Sequence, residues 1–170
     1  MKIFNTSKVN SLTQPLFFGE DLGVQRYDIF KYKKFYDLFI QQLSFYWRPE
    51  EINISLDSAQ FKELTESEKN IFTKNLKYQI LLDSVQSRGI PFILKHVSNP
   101  ELEACGKAWE FFETIHSYSY TYIIKNIFPN PSEVFDSIVE DVEIVKRAQS
   151  VTKYYNELID AVEDVKKKLY

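Results

Sequence analysis

The sequence predicts an all-α protein. Only four Gly and six Pro punctuate 170 residues, so turns are few for this length. Apolar residues recur with a 3.6-residue period over long segments, and stretches with the two-residue alternation of strands are scarce. Apolar residues form 44% of the chain, with eleven Tyr and fourteen Phe. That is enough for one ring-rich hydrophobic core.

The elements follow in order. Residues 1–28 contain Pro15, Gly19 and Gly23 and little helical periodicity, which reads as an ordered but irregular arm. A first helix is expected from about Ile29 to Trp47, stopped by Pro49. Residues 50–61 form a connection with room for one short turn. Thr65-Glu66-Ser67-Glu68 fits a capping box and opens a second helix to about Ser87, where Gly89 and Pro91 are expected to break it. Residues 91–97 are a candidate short helical piece. Asn99-Pro100-Glu101 reads as N-cap, first-turn proline and first-turn acid, opening a long helix to about Asn126. Pro129-Asn130-Pro131 ends that helix and starts another, continuing through Asp141–Tyr155 toward Tyr170. Lys166-Lys167-Lys168 reads as a solvated face rather than a phosphate site.

Bulk properties exclude several functions. A net charge of −3 and a pI near 5.5 argue against nucleic acid as the main partner, which would favour a basic footprint. No apolar run approaches the roughly 20 residues of a membrane helix, and no signal-peptide core is present. The single Cys105 excludes an intramolecular disulfide and fits a reducing compartment, with the cytoplasm as the expected location. Its place on an apolar stripe reads as a packed thiol.

Polar residues interrupt that stripe. At about 100° per residue, Glu113, His116 and Tyr120 project within roughly 60° of one another, in nearly the sector of Leu102, Cys105, Trp109 and Ile123. A carboxylate and an imidazole on a buried face are costly unless paired. Glu-x-x-His facing inward is the metal-ligand pattern of di-iron carboxylate bundles. Asp83 is a second anomaly, sharing a face with Phe72, Leu76 and Gln79. Alone, it reads as a salt bridge or an exposed tilt; beside Glu113 and His116 it reads as a third ligand. Iron or manganese suits such oxygen and imidazole donors. The ordinary alternatives are a core histidine bonded to a carbonyl at His116 and a hydrogen-bonded buried phenol at Tyr120. His96 has no acid at matching spacing and reads as a structural histidine. Tyr118 and Tyr122 fall off the stripe and read as packing or surface tyrosines.

Phe112-Glu113-Thr114-Ile115-His116-Ser117-Tyr118-Ser119-Tyr120-Thr121 resembles the signature of the small, radical-generating subunit of class I ribonucleotide reductase. Pro15-Leu16-Phe17-Phe18-Gly19, Ser44-Phe45-Tyr46-Trp47-Arg48-Pro49-Glu50-Glu51 and Asn75-Leu76-Lys77-Tyr78-Gln79-Ile80-Leu81-Leu82-Asp83-Ser84 agree, in colinear order along nearly the whole chain. The resemblance implies a ferritin-like helical bundle with a di-iron centre, manganese being possible. It implies Asp83 and His116 as ligands of the first metal and Glu113 as a bridge. Tyr120 would bear the tyrosyl radical, and Trp47 would lie on the electron path to the large subunit, which reduces nucleotides for deoxyribonucleotide synthesis. Without the resemblance, Trp47 reads as a core anchor.

Two departures stand out. Tyr118 occupies a position where arginine is common in relatives. The family's remaining ligands, a glutamate and then a second Glu-x-x-His, have no match, since His96 and His116 are the only histidines. The chain therefore reads as the N-terminal half of a ferritin-like domain over 1–170, with three of six expected ligands. It is expected to lack reductase activity alone, to associate readily, and to need a homodimer or a complementing second-half polypeptide. The alternatives are a non-catalytic truncated remnant or helical interaction module and, more weakly, another ferritin-like oxidase. A downstream coding sequence with Glu and then Glu-x-x-His at helical spacing separates the first reading from the remnant.

Overall fold

The computed structural model describes residues 5–169, with side chains described through residue 163. The lysines at 166–168 lie outside the described side chains. Six α-helices account for most of the described residues: α1 Lys33–Ser44, α2 Asp57–Glu63, α3 Glu66–Leu94, α4 Pro100–Ile127, α5 Pro131–Asp136 and α6 Val142–Leu169. Among these residues there is no strand, only an isolated antiparallel bridge between Phe17 and Val97. The all-α expectation holds. Among the described residues, no helix is long and apolar enough to cross a membrane.

The chain divides into two compact units, Met1–Tyr46 with Arg88–Phe112, and Trp47–Ser87 with Glu113–Tyr170. In the first unit, the irregular arm is held by backbone bonds from Phe18 N–H to His96 and from Ser98 N–H to Leu16. His96 stacks on Phe18 with ring centroids 5.2 Å apart. Asn99 caps α4 as expected, its Oδ1 accepting the Leu102 N–H at 2.9 Å. Glu101 is fully buried. Its Oε1 accepts the N–H groups of Lys31 and Tyr32 at 2.7 and 3.2 Å, and Asn99 Nδ2 donates to its Oε2.

These bonds explain why α1 is shorter than the periodicity predicts. Glu101 satisfies the amides at 31 and 32 before the first helical residue. At the other end Phe45 N–H turns back to the Gln42 carbonyl, and Arg48 is extended ahead of Pro49 at φ −114°, ψ 143°. A residue before proline avoids the helical region. Trp47 therefore lies in the linker after α1, not in the helix.

The expected break at Gly89 and Pro91 does not occur: α3 runs through both. A proline inside a helix removes one hydrogen bond and costs about 3 kcal/mol. Ile90 between the two is fully buried, and the Pro91 carbonyl still accepts the Lys95 N–H at 3.1 Å. Packing overrides local propensity here.

In the second unit Thr65 and Glu68 form the expected capping box, with Thr65 N–H to Glu68 Oε2 at 2.8 Å and Glu68 N–H to Thr65 Oγ1 at 3.3 Å. The connection at 50–61 is more ordered than predicted. It holds a 3-10 turn at Pro49–Glu51 and then α2. Phe61 anchors α2 between Phe72 and Phe128, at centroid distances of 5.5 and 4.9 Å.

The single helix expected after Pro131 is two. Ser137 Oγ bonds the Glu133 carbonyl at 2.7 Å, competing with the helical backbone. Asp141 Oδ1 then caps α6 through the Glu143 N–H at 3.1 Å. Leu76, Ile80, Ile124, Val134 and Ile138 form the core of this unit, and Tyr120 packs against it.

Candidate metal centre

The 3.6-residue period places Glu113, His116 and Tyr120 on successive turns of one edge of α4. Asp83 comes from α3. The structure brings Asp83, Glu113 and His116 together, with one donor atom of each within 4.8 Å of the others. His116 Nδ1 stands 3.6 Å from Asp83 Oδ2 and 3.7 Å from Glu113 Oε2. These separations are too long for hydrogen bonds. They match two donors that each reach one ion at about 2.1 Å, which sit about 3.0–3.7 Å apart.

The side chains of Asp83 and Glu113 are 17% and 12% exposed, and that of His116 is 42% exposed. Asp83 Oδ2 is buried without a hydrogen-bond partner. A buried carboxylate oxygen without a donor is a marked exception, because the desolvation goes uncompensated. Burial raises the Asp83 pKa, and the Glu113 charge adds to the effect; His116 and the Tyr120 hydroxyl oppose it. A cation among the three side chains would offset this penalty, and two carboxylates with one imidazole suit iron or manganese. The residues present fit a metal. Three donors alone fall short of the four to six that such ions take.

Tyr120 is half-buried, one turn beyond His116. Burial is the main reason its phenol is pushed up to about 12, followed by the Asp83 charge, a hydrogen bond to Asp83, and Glu113. The phenol thus stays protonated at neutral pH, beside a carboxylate that can take its proton.

Sequence reasoning missed one neighbour of the site. Tyr155 on α6 donates to Gln86 Oε1 at 2.5 Å, three residues after Asp83 on α3. Burial raises its pKa, with a further contribution from Glu113. The i, i+3 relation of Gln86 to Asp83 was the available signal. Trp109, expected on the apolar stripe, is 43% exposed. Cys105, expected as a packed thiol, is only half-buried; Gln42 Nε2 donates to its Sγ at 3.4 Å, and burial raises its thiol pKa. Trp47 is half-buried in the linker. Tyr118 is exposed, and its hydroxyl donates to Glu50 Oε1.

A family model described as "Ribonucleotide reductase, small chain" matches residues 26–170. The chain is 49% identical over 158 residues to the ribonucleoside-diphosphate reductase subunit beta of Enterobacteria phage T4. It is 52% identical over 157 residues to the protein of that name from Haemophilus influenzae. Both alignments cover 92% of this chain, but only 41% and 42% of those relatives. Among solved structures, the ribonucleotide reductase R2 subunit from Clostridium botulinum is similar, with a TM-score of 0.86 and 28% identity. That match covers 94% of this chain and 51% of that one. The all-helical architecture corresponds to the ferritin-like helical fold of that neighbour. The chain spans about two fifths of the length of these curated relatives.

Proposed function

This chain belongs to the ribonucleotide reductase small-chain family, and we propose that it contributes half of a metal and radical site to the oxidoreductase that makes deoxyribonucleotides. Asp83, Glu113 and His116 are the metal ligands it supplies. The observation that carries this reading is the buried, unpartnered Asp83 Oδ2 facing Glu113 and His116, one turn ahead of a half-buried phenol. Further protein donors complete the coordination, from a second-half polypeptide or a longer chain. Assembly as a homodimer and pairing with the family's large subunit, in the cytoplasm, complete the proposal.

A bound iron pair, or manganese in its place, supplies the redox equivalents for removing one electron from a phenol. The residues of this chain manage the rest. Tyr120 releases its hydroxyl proton as the electron leaves, and the Asp83 carboxylate beside it is the acceptor. Leu76, Ile80 and Ile124 keep water from the resulting neutral radical. Trp47 carries the electron between this site and the large subunit. Alone, the chain has no reductase activity.

The test is co-expression with a candidate second half, followed by metal analysis and electron paramagnetic resonance. A tyrosyl signal is expected from the assembled protein, absent in Tyr120→Phe. A signal that survives Tyr120→Phe sinks the assignment of the radical residue. A radical formed by this chain alone with ferrous iron and oxygen sinks the prediction of inactivity.

A further inference from the structure

The linker that carries Trp47 is shaped by local bonds. Glu51 N–H donates to the Arg48 carbonyl at 3.0 Å and Ile52 N–H to that of Pro49 at 3.1 Å. Arg48 N–H donates to Glu51 Oε1 at 3.2 Å. These bonds give residues 48–52 a defined turn, but they do not determine where that turn lies. Its attachment comes from α4. Tyr118 donates to Glu50, and residues 50–55 border a cavity of about 370 Å³ with Tyr122 and Asn126. Tyr118, Tyr122 and Asn126 recur every four residues and so form one edge of the helix. On the helical wheel this edge lies opposite Glu113, His116 and Tyr120.

We propose that the Glu50–Tyr118 hydrogen bond latches the linker onto the outer edge of α4 and thereby positions Trp47. Trp47 precedes the turn by a single residue, and Arg48 between them is extended, so the indole follows wherever Glu50 is held. Tyr118 is a positioning residue, on the edge of α4 opposite the metal ligands and the radical phenol. An arginine at this position would serve the same end, because a guanidinium also donates to a carboxylate. The purpose assigned to the latch rests on the reading of Trp47 as an electron carrier; its existence does not.

The test uses the full chain with Trp109→Phe, leaving Trp47 as the sole tryptophan. Its emission maximum and its quenching by acrylamide report how firmly the linker is held. Loss of one hydrogen bond should raise the released fraction about fivefold. Tyr118→Phe and Glu50→Ala should therefore each strengthen quenching and shift emission to longer wavelength. The double variant should add nothing further, and Tyr118→Arg should restore the parent signal. Two independent single variants keep the test decisive if one misfolds. Unchanged quenching in both, additive effects in the double variant, or no restoration by arginine overturns the latch. Nucleotide reduction that survives Trp47→Phe in the assembled, metal-loaded protein overturns the electron-carrier reading and leaves the fluorescence result standing.

Discussion

Glu101 offers a quantitative test of how α1 and α4 are tied together. Its carboxylate is fully buried and accepts three hydrogen bonds, from Lys31 N–H, Tyr32 N–H and Asn99 Nδ2. Glu101→Ala strands two backbone donors, each costing about 1–3 kcal/mol when buried and unsatisfied. Removing a desolvated charge offsets part of that, so a net loss of about 2–4 kcal/mol is expected. Glu101→Gln is the informative control. Its amide oxygen can still accept from Lys31 and Tyr32, but its NH2 group meets Asn99 Nδ2, donor against donor. Asn99 cannot flip without giving up its Oδ1 cap on Leu102, so about 1–2 kcal/mol is expected. Amide hydrogen exchange reads the effect locally. In Glu101→Ala the amides of Lys31 and Tyr32 should exchange about a hundredfold faster, the equivalent of roughly 3 kcal/mol. Urea melts give the global value. If Glu101→Gln costs as much as Glu101→Ala, or the two amides stay protected in the alanine variant, the reasoning is wrong.

Three further outcomes are expected. Asp83→Asn and His116→Ala should each weaken manganese binding in calorimetric titration by about a hundredfold or more, since even outer-shell partners are worth 10–100-fold; His96→Ala should leave it unchanged. In Gly19→Ala the new Cβ would lie 2.5 Å from Gln14 Oε1 and 2.8 Å from both Pro15 Cδ and Ser98 Oγ, so a loss of about 1–3 kcal/mol is expected in thermal melts, and an unchanged melting temperature would show that the arm is not packed there. Cys105 has its thiol pKa raised by burial: the fold favours the neutral thiol, and this contribution is complete below the ordinary thiol value and lost as pH rises through the higher folded value. Urea melts should therefore show the parent chain losing stability relative to Cys105→Ala over that alkaline window, and parallel pH profiles would count against it.

Legibility in the sequence tracked how local each determinant is. Asn99-Pro100 and the Thr65–Glu68 box mark helix starts through bonds within four residues, and both are found where the residues predict. The inward edge of α4 was equally legible, because periodicity alone places Glu113, His116 and Tyr120 together and marks Asp83 as out of place. What stayed hidden depends on distant chain. Glu101 reads as an acid suited to a helix dipole, yet its bonds go to residues 69 and 70 positions earlier. Pro91 reads as a stop, and burial of Ile90 overrules it. Tyr118 reads as a surface ring until Glu50 is seen beside it. Tyr155 shows nothing unusual before its hydroxyl is found on Gln86.

The two opposed edges of α4 limit which changes in length that helix can accept. Inserting or deleting one residue between 113 and 118 would turn everything beyond it by about 100°. Tyr118, Tyr122 and Asn126 would leave the linker, and an insertion before His116 would carry the imidazole away from Asp83. Substitutions can be absorbed one side chain at a time. A frame of this kind varies in composition far more freely than in length.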